Sequence, residues 1–293
     1  MVLLLEMPYV FLDPFLEYTF MQRALVGSFI VCLGAVPVGI FMTLRRMSLT
    51  GDAMAHAILP GTAIAYLLSG LSPLALTLGG VTAGLVVAAL AGWVARITEL
   101  KEDASFAAFY LLSLSFGVLV ISVKQSNVDL FHVLFGNILA MDRSMLWLLA
   151  TISSISLITL AVLYRPLVIE SVDPSFLSRT GKASEAAHYG FLFLMVLNLV
   201  AGFHALGTLM AIGVMVLPAV AARFWARTLD SMLITALLIS LVSCYLGLML
   251  SFYFDLPTGP SIVISMGLAY LASLIMGTNG GLLSNYPLQH RTG

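Results

Sequence analysis

Residues 51–61 read Gly51-Asp-Ala-Met-Ala-His-Ala-Ile-Leu-Pro-Gly61, so an acid and an imidazole interrupt a stretch otherwise suited to the hydrocarbon core of a bilayer. Asp52 and His56 are four residues apart, about one helical turn, which places both side chains on one face. Pro60 has no backbone N–H, so the His56 carbonyl loses its usual helical partner. Ionisable groups in apolar surroundings are costly and generally mark a substrate or ion path. The stretch therefore predicts a functional site at Asp52 and His56, beside a helix break at Pro60 and Gly61.

The composition of the whole chain is that of a membrane protein. Of its 293 residues, 60% are hydrophobic and only 9% are charged, whereas a soluble domain carries about 25% charged residues. Apolar runs of about 18 or more residues recur along the sequence, and this length predicts transmembrane helices. A transmembrane barrel would show short alternating segments instead. We therefore predict an all-α, polytopic membrane protein.

The apolar runs predict about eight to nine transmembrane helices. The nine approximate spans are 24–44, 50–69, 72–95, 104–122, 145–164, 187–203, 206–223, 231–251 and 260–277. Residues 128–141 form a further apolar stretch that is too short to cross, and we interpret it as re-entrant or interfacial.

These spans predict one membrane domain, because no segment has the size or composition of a separate soluble domain. We assign residues 24–277 to a transmembrane domain and residues 1–23 to an external or interfacial segment. Residues 278–293 are then a C-terminal tail.

The distribution of Lys and Arg orients the predicted spans. One side of the nine-span topology holds Arg45, Arg46, Arg96, Lys101, Arg165, Arg179, Lys182, Arg223, Arg227 and Arg291. The other side holds Arg23, Lys124 and Arg143. Because cytoplasmic loops carry the excess of positive charge, the first group and the C-terminal tail are assigned to the cytoplasm.

The Asp52 and His56 pair suits divalent transition metals. Neutral imidazole binds zinc and its first-row neighbours, and a carboxylate also accepts the harder manganese. Two ligands from one chain make a weak site, whereas two copies meeting at a symmetry axis would supply four. The alternatives remain a helix N-cap or interfacial charge for Asp52 and a hydrogen-bonded core residue for His56.

Two other histidines are weaker candidates. His204 falls at the predicted outer mouth between two spans, where it could contact the metal, although an ordinary polar loop residue is the stronger interpretation. His132, in the short outer segment, has the same two interpretations. Thr180-Gly-Lys-Ala-Ser184 lacks the glycine and the hydroxyl residue that a phosphate-binding loop requires. If ATP drives transport, another chain must therefore bind it.

The sequence resembles the membrane permeases of the zinc, manganese and iron ABC importers, the ABC-3 family. The resemblance lies in Leu44-Arg-Arg46 with the stretch 51–61, in Ala205-Leu-Gly-Thr-Leu-Met-Ala-Ile-Gly-Val-Met-Val-Leu-Pro-Ala-Val-Ala-Ala-Arg223, in Val172-Asp-Pro-Ser-Phe-Leu-Ser-Arg-Thr-Gly181 and in Asp255-Leu-Pro-Thr-Gly259. It covers about residues 20 to 277. The Asp–His–Pro–Gly motif is its most specific part.

This resemblance implies a fold like that of a type II ABC importer, in a bacterial inner membrane and surrounded by lipid. It implies a homodimer, cytoplasmic ATPase subunits and an extracytoplasmic metal-binding protein, with no nucleic-acid partner. The chain itself would not be an enzyme and would hold no permanent cofactor. Asp52 and His56 would line the path of the transported Zn²⁺ or Mn²⁺, and histidine favours zinc. The ATPase-docking loop would include Val172, Asp173, Pro174, Phe176 and Gly181.

Two functions of other classes remain open. A proton-coupled secondary metal transporter could use Asp52 and His56 as a proton relay, because histidine titrates near neutral pH. Such transporters are commonly built from inverted repeats, and the sequence shows no convincing repeat. An intramembrane metalloenzyme is a weaker alternative, since the chain has no His-Glu-x-x-His motif.

Overall fold

The computed structural model describes residues 13–70, 72–99, 101–123, 138–172 and 182–283, and these residues form helices without any strand. The helices are α1 (Thr19–Leu44), α2 (Ser48–Ala57), α3 (Leu59–Ser69), α4 (Pro73–Ile97), α5 (Glu102–Val123), α6 (Arg143–Val172), α7 (Lys182–Leu206), α8 (Thr208–Ala222), α9 (Leu229–Phe254) and α10 (Thr258–Met276). A single 3₁₀ turn, Ile138–Ala140, precedes α6. The all-α prediction is confirmed for the described part of the chain.

Seven of the helices in the described residues are long and apolar enough to cross a bilayer. They comprise Thr19–Leu44, Pro73–Ala95, Asp103–Val120, Arg143–Ser171, Ala186–Leu206, Leu229–Phe254 and Thr258–Met276. These seven make the chain a multi-pass membrane protein, and each corresponds to one predicted span. The predicted count of eight to nine is not confirmed.

The two remaining predicted spans differ from the structure in length or continuity. The predicted span 50–69 consists of two short helices, α2 and α3, which are separated at Ile58. The predicted span 206–223 corresponds to α8, which has 15 residues. At 1.5 Å per residue α8 is roughly 22 Å long, shorter than a hydrocarbon core of about 30 Å.

The ends of the chain and one predicted short segment are only partly described. Helix α1 begins at Thr19, inside the segment 1–23 that was assigned outside the membrane. The predicted re-entrant stretch 128–141 lies outside the described residues up to residue 137, and the 3₁₀ turn follows. His132 also lies outside them.

Helices α1 and α7 form the centre of the molecule. In each, about 72% of an apolar 18-residue stretch of the helix is buried within this one chain. Helix α1 packs against α6, α7, α8 and α9, and α7 packs against α4, α6 and α8 as well. Their sequences are apolar on every side, as expected for helices enclosed by other helices.

The outer helices form two edges around this centre. On one edge α2 and α3 pack against α4 and α5, and on the other α9 packs against α10. The site-bearing helix α2 also contacts α7 and α8, so it lies between the centre and the α5 edge.

Candidate metal path

The pair Asp52 and His56 lies on the outward face of α2. Asp52 is exposed and His56 is half-buried, whereas the residues between them are buried. Leu49, one turn before Asp52, is 79% exposed on the same face. The structure therefore places both predicted residues on a surface of the chain and outside its core.

The carboxylate of Asp52 has no hydrogen bond or ion pair to the part of the chain that the structure describes. His56 makes a ring contact instead, since its ring centroid lies 6.1 Å from that of Tyr110 on α5, with an angle of 31° between the planes. Both groups are therefore available to a ligand that reaches this surface.

The described residues of one chain do not complete a metal site. Across the described ranges, no group of three or more His, Cys, Asp or Glu side chains is positioned to hold a metal ion. Asp52 and His56 supply one oxygen donor and one nitrogen donor, and stable transition-metal sites generally need three or four. Further ligands must come from outside the described residues.

The helix interruption beside the pair lies at Ile58, between the end of α2 at Ala57 and the start of α3 at Leu59. Pro60 occupies the first turn of α3, where a missing N–H costs little. The expected free carbonyl at His56 is not found, because that oxygen accepts a backbone N–H at the C-terminal cap of α2. The carbonyl therefore cannot be counted as an open ligand.

The interruption is sealed by α5. The Ser113 hydroxyl of α5 donates a hydrogen bond of 3.0 Å to the Ala57 carbonyl, one of the groups left without a helical partner at the end of α2. Gly117 lies directly under Pro60, because a Cβ atom at Gly117 would come within 3.1 Å of the Pro60 Cα. The hydrogen bond satisfies the Ala57 carbonyl, and the glycine lets α5 pack closely against Pro60.

Gly61 permits an equally close contact on the α4 side. A Cβ atom at Gly61 would lie 1.9 Å from the Gly79 carbonyl oxygen, so any side chain there would collide with backbone. The backbones of α3 and α4 therefore touch at this level.

Helices α2 and α3 run in the same direction as α5, and four contacts join them in the same order along both. The Thr50 hydroxyl donates a 3.1 Å hydrogen bond to the Asp103 carboxylate. The next contacts along the chain are His56 with Tyr110, Ala57 with Ser113 and Pro60 with Gly117. Tyr110, Ser113 and Asp103 were not singled out from the sequence, since no local motif marks a residue that acts through a neighbouring helix.

His204 lies in the last turn of α7 and connects that helix to α4. Its Nε2 atom is 2.8 Å from the Thr77 hydroxyl oxygen, and Thr77 itself donates to the Pro73 carbonyl at 2.7 Å. Because the single hydroxyl proton is used on Pro73, Nε2–H is the donor to Thr77. A metal contact at His204 stays a prediction, and its described role is to join α7 and α4.

The predicted ATPase-docking residues are only partly described. Val172 is the last residue of α6. Asp173, Pro174, Phe176 and Gly181 lie outside the described residues.

Curated relatives match nearly the whole chain. The manganese transport system membrane protein MntC of Halalkalibacterium halodurans is 30% identical over 277 residues, which cover 94% of both chains. The chelated iron transport system membrane protein YfeD of Yersinia pestis is 31% identical over 263 residues, covering 90% of this chain and 87% of that protein. The zinc preference drawn from the histidine finds no support in these names.

Solved structures share the fold. The structure of PsaBC from Streptococcus pneumoniae in complex with Fab superposes with a TM-score of 0.82 and 30% identity, covering 92% of this chain and 96% of that one. An inward-facing structure of a putative metal-chelate type ABC transporter gives a TM-score of 0.68 at 12% identity and supports the fold alone.

The model of the ABC 3 transport family matches residues 17–277. The match includes the α2 pair, the helix interruption and every described helix up to α10. Together with relatives at 30% identity over more than nine-tenths of the chain, it confirms the resemblance seen in the sequence. This chain belongs to the ABC 3 transport family.

Proposed function

We propose that the chain is the permease subunit of an ABC importer that carries a divalent transition metal ion into the cytoplasm. The observation that carries the proposal is the outward-facing pair on α2, an exposed carboxylate and a half-buried imidazole one turn apart. Family membership and the PsaBC fold support the same assignment.

The position of Asp52 supports a partner across the α2 surface. A charged carboxylate facing lipid is costly, so it should face water or protein. A second copy related by a two-fold axis would bring two carboxylates and two imidazoles together, which supplies the ligands that the described residues of one chain lack. We therefore propose a homodimer with the metal path at the seam between the α2 helices.

Manganese is the first ion to test. The relatives named above carry manganese or chelated iron in their names, and mixed oxygen and nitrogen donors suit both Mn²⁺ and Fe²⁺. Zinc binds the same donors and belongs in the test as a competitor. The remaining partners we propose are cytoplasmic ATPase subunits and an extracytoplasmic metal-binding protein in a bacterial inner membrane.

The test is uptake of radioactive manganese by proteoliposomes that contain the permease with its ATPase and binding protein. We expect ATP-dependent uptake in the wild type and its loss in Asp52→Ala, with the complex still assembled on size-exclusion chromatography. Asp255→Asn is a matched control, because Asp255 is an exposed C-cap residue with φ of 50°, a conformation that asparagine also tolerates.

Two results would contradict the proposal. Normal uptake by Asp52→Ala would remove the assigned site. Uptake driven by a proton gradient without ATP or an ATPase subunit would identify a secondary transporter instead, and a competition series with Zn²⁺ and Fe²⁺ would rank the ions in either case.

A further inference from the structure

A buried ion pair joins three helices at the end of the molecule assigned to the cytoplasm. Arg45, directly after α1, pairs with Glu170 in the last turn of α6, and the two side chains are 7% and 14% exposed. The guanidinium carbon also lies 4.6 Å from the centroid of the Phe191 ring on α7. The contact thus connects α1, α6 and α7 through one side chain.

The chain leaves this ion pair through a tight turn that leads directly into α2. The Met47 N–H donates to the Met42 carbonyl at 2.9 Å and the Arg46 N–H to the Thr43 carbonyl at 3.2 Å, the hydrogen bonds of a Schellman motif. Arg46 occupies its left-handed position with φ of 60°, where glycine is usual. The local structure therefore holds a strained residue in place.

Only a short path separates the ion pair from the proposed metal ligands. Helix α2 begins at Ser48, three residues after Arg45, and Asp52 follows one turn later. Because the turn is closed by two hydrogen bonds and α2 is helical, the connection from Arg45 to Asp52 is short and hydrogen-bonded throughout.

The other partner, Glu170, lies where α6 leads into the predicted ATPase-docking loop. Val172 ends α6 and is the first residue of that predicted loop. A buried ion pair is weak support for a purely stabilising role, because desolvation of the two charges offsets much of their attraction. The directional Arg–carboxylate contact is suited to fixing the position of two segments relative to each other.

We infer that Arg45 and Glu170 are positioning residues that couple movement at the cytoplasmic end of α6 to α2, and through α2 to the metal-binding pair. This inference rests on the proposed function, since it assigns the ion pair a role between the ATPase and the metal path. Arg45 and Glu170 do not contact the metal in this mechanism. They set where Asp52 and His56 stand in each state of the transport cycle.

The test is Glu170→Gln in the full complex, measured as metal ions imported per ATP hydrolysed. Glutamine keeps the shape and removes the charge. We expect ATP hydrolysis to continue while the import ratio falls roughly twofold to thirtyfold, the range for residues that carry coupling between sites. A role in stability alone would instead lower assembly, hydrolysis and uptake together and leave the ratio unchanged.

Two comparisons make the result specific. Asp230→Asn is the matched control, because Asp230 contacts Tyr164 of α6 at 3.2 Å but joins it to α9 rather than to α2. We expect this variant to keep the wild-type ratio. The exchange of charges in Arg45→Glu with Glu170→Arg should recover part of the ratio lost in Glu170→Gln.

A second variant decides the question if Glu170→Gln fails to assemble. Arg46→Gly removes the strain of the left-handed residue and so preserves folding, but it loosens the turn between the ion pair and α2. We expect it to lower the import ratio, whereas Arg46→Asn, which tolerates the same conformation, should retain more of it. If the Glu170→Gln complex assembles, an unchanged import ratio in it would overturn the inference. If the Glu170→Gln complex does not assemble, an unchanged ratio in Arg46→Gly would overturn it.

The same experiment separates this inference from the proposed function. A wild-type complex that hydrolyses ATP without accumulating metal would refute the proposed function. A wild-type complex that imports metal, beside a Glu170→Gln complex with the same ratio, would refute the coupling role alone.

Discussion

The two outer edges of the molecule are built for different surroundings. The α9 and α10 edge consists of two uninterrupted helices with exposed apolar stripes, and a groove of about 850 Å³ between them is lined almost entirely by apolar side chains. The α2 and α3 edge contains two short helices, an interruption, and an exposed carboxylate beside a half-buried imidazole.

The difference shows which edge lipid can cover. Ile234, Leu238, Val242 and Leu246 recur every four residues along α9 and are 45% to 61% exposed, which is the pattern of a helix face in hydrocarbon. The outward face of α2 is also exposed, but it carries the charged Asp52. Lipid can cover the apolar α9 and α10 edge, whereas the α2 and α3 edge needs water or protein against its carboxylate.

The largest expected effect, on folded yield, comes from placing a carboxylate like that of Asp52 on the apolar α9 and α10 edge. Val242→Asp puts an acid on the lipid-facing stripe of α9, where insertion costs about 2.5–3.5 kcal/mol near the membrane centre. We expect the folded yield in membranes to collapse, measured as the monodisperse fraction after solubilisation. Val242→Ala is the control, and normal yield of the aspartate variant would show that the α9 face is not covered by lipid.

A somewhat smaller effect is expected from the close backbone contact at the interruption. Gly61→Ala forces a Cβ atom into the Gly79 carbonyl, and overpacking of this kind costs typically 1–3 kcal/mol. Gly267→Ala on α10 meets open space and should be neutral or slightly stabilising. Thermal unfolding in detergent compares the two, and equal midpoints would contradict the backbone contact.

Removing the hydroxyl that seals the interruption should cost less. Ser113→Ala leaves the Ala57 carbonyl without its 3.0 Å hydrogen bond, a loss of about 1 kcal/mol in the free energy of unfolding. Ser265→Ala on α10 is the matched control, because Ser265 bonds within its own helix to the Ser261 carbonyl. If both variants unfold at the wild-type temperature, the seal contributes nothing to stability.

The smallest effect is expected at Asp142, an exposed acid that, unlike Asp52, has hydrogen-bond partners. Asp142 accepts the Met145 backbone N–H at 2.8 Å at the start of α6, and this bond, followed by that from Ser144, lowers its pKa below the usual 3.8. Because the folded pKa is depressed, the stabilisation is present above the unfolded pKa. It is lost as the pH falls through the folded pKa.

The corresponding measurement is thermal unfolding of Asp142→Asn at neutral pH and near pH 3. Asparagine also caps helices, so we expect a shift of less than about 1 kcal/mol at neutral pH, as befits an exposed charge. We also expect a weaker decrease of stability with acid than in the wild type. An identical acid profile would show that Asp142 does not contribute to it.

The sequence predicted the features that depend on local composition and spacing. The seven long helices follow from apolar length alone, and the placement of Asp52 and His56 on one face follows from their separation. The family was also correctly identified, because its motif is a contiguous run of residues.

The remaining features depend on contacts between distant parts of the chain. Arg45 and Glu170 are 125 positions apart in the sequence, and no periodicity relates them. An interruption of the predicted span 50–69 could be expected near Pro60, but the contacts of Ser113 and Gly117 of α5 on either side of Ile58 could not. The His56 carbonyl was predicted to lack a partner, because its alternative backbone hydrogen bond at the end of α2 is not visible from spacing.

The row of contacts that joins α2 and α3 to α5 has a consequence for how the protein changes shape. Contacts at Thr50, His56, Ala57 and Pro60 occur at successive levels of α5, so the broken helices cannot tilt away without uncovering several polar groups at once. We therefore expect α5 to move together with α2 and α3 in any rearrangement of this edge.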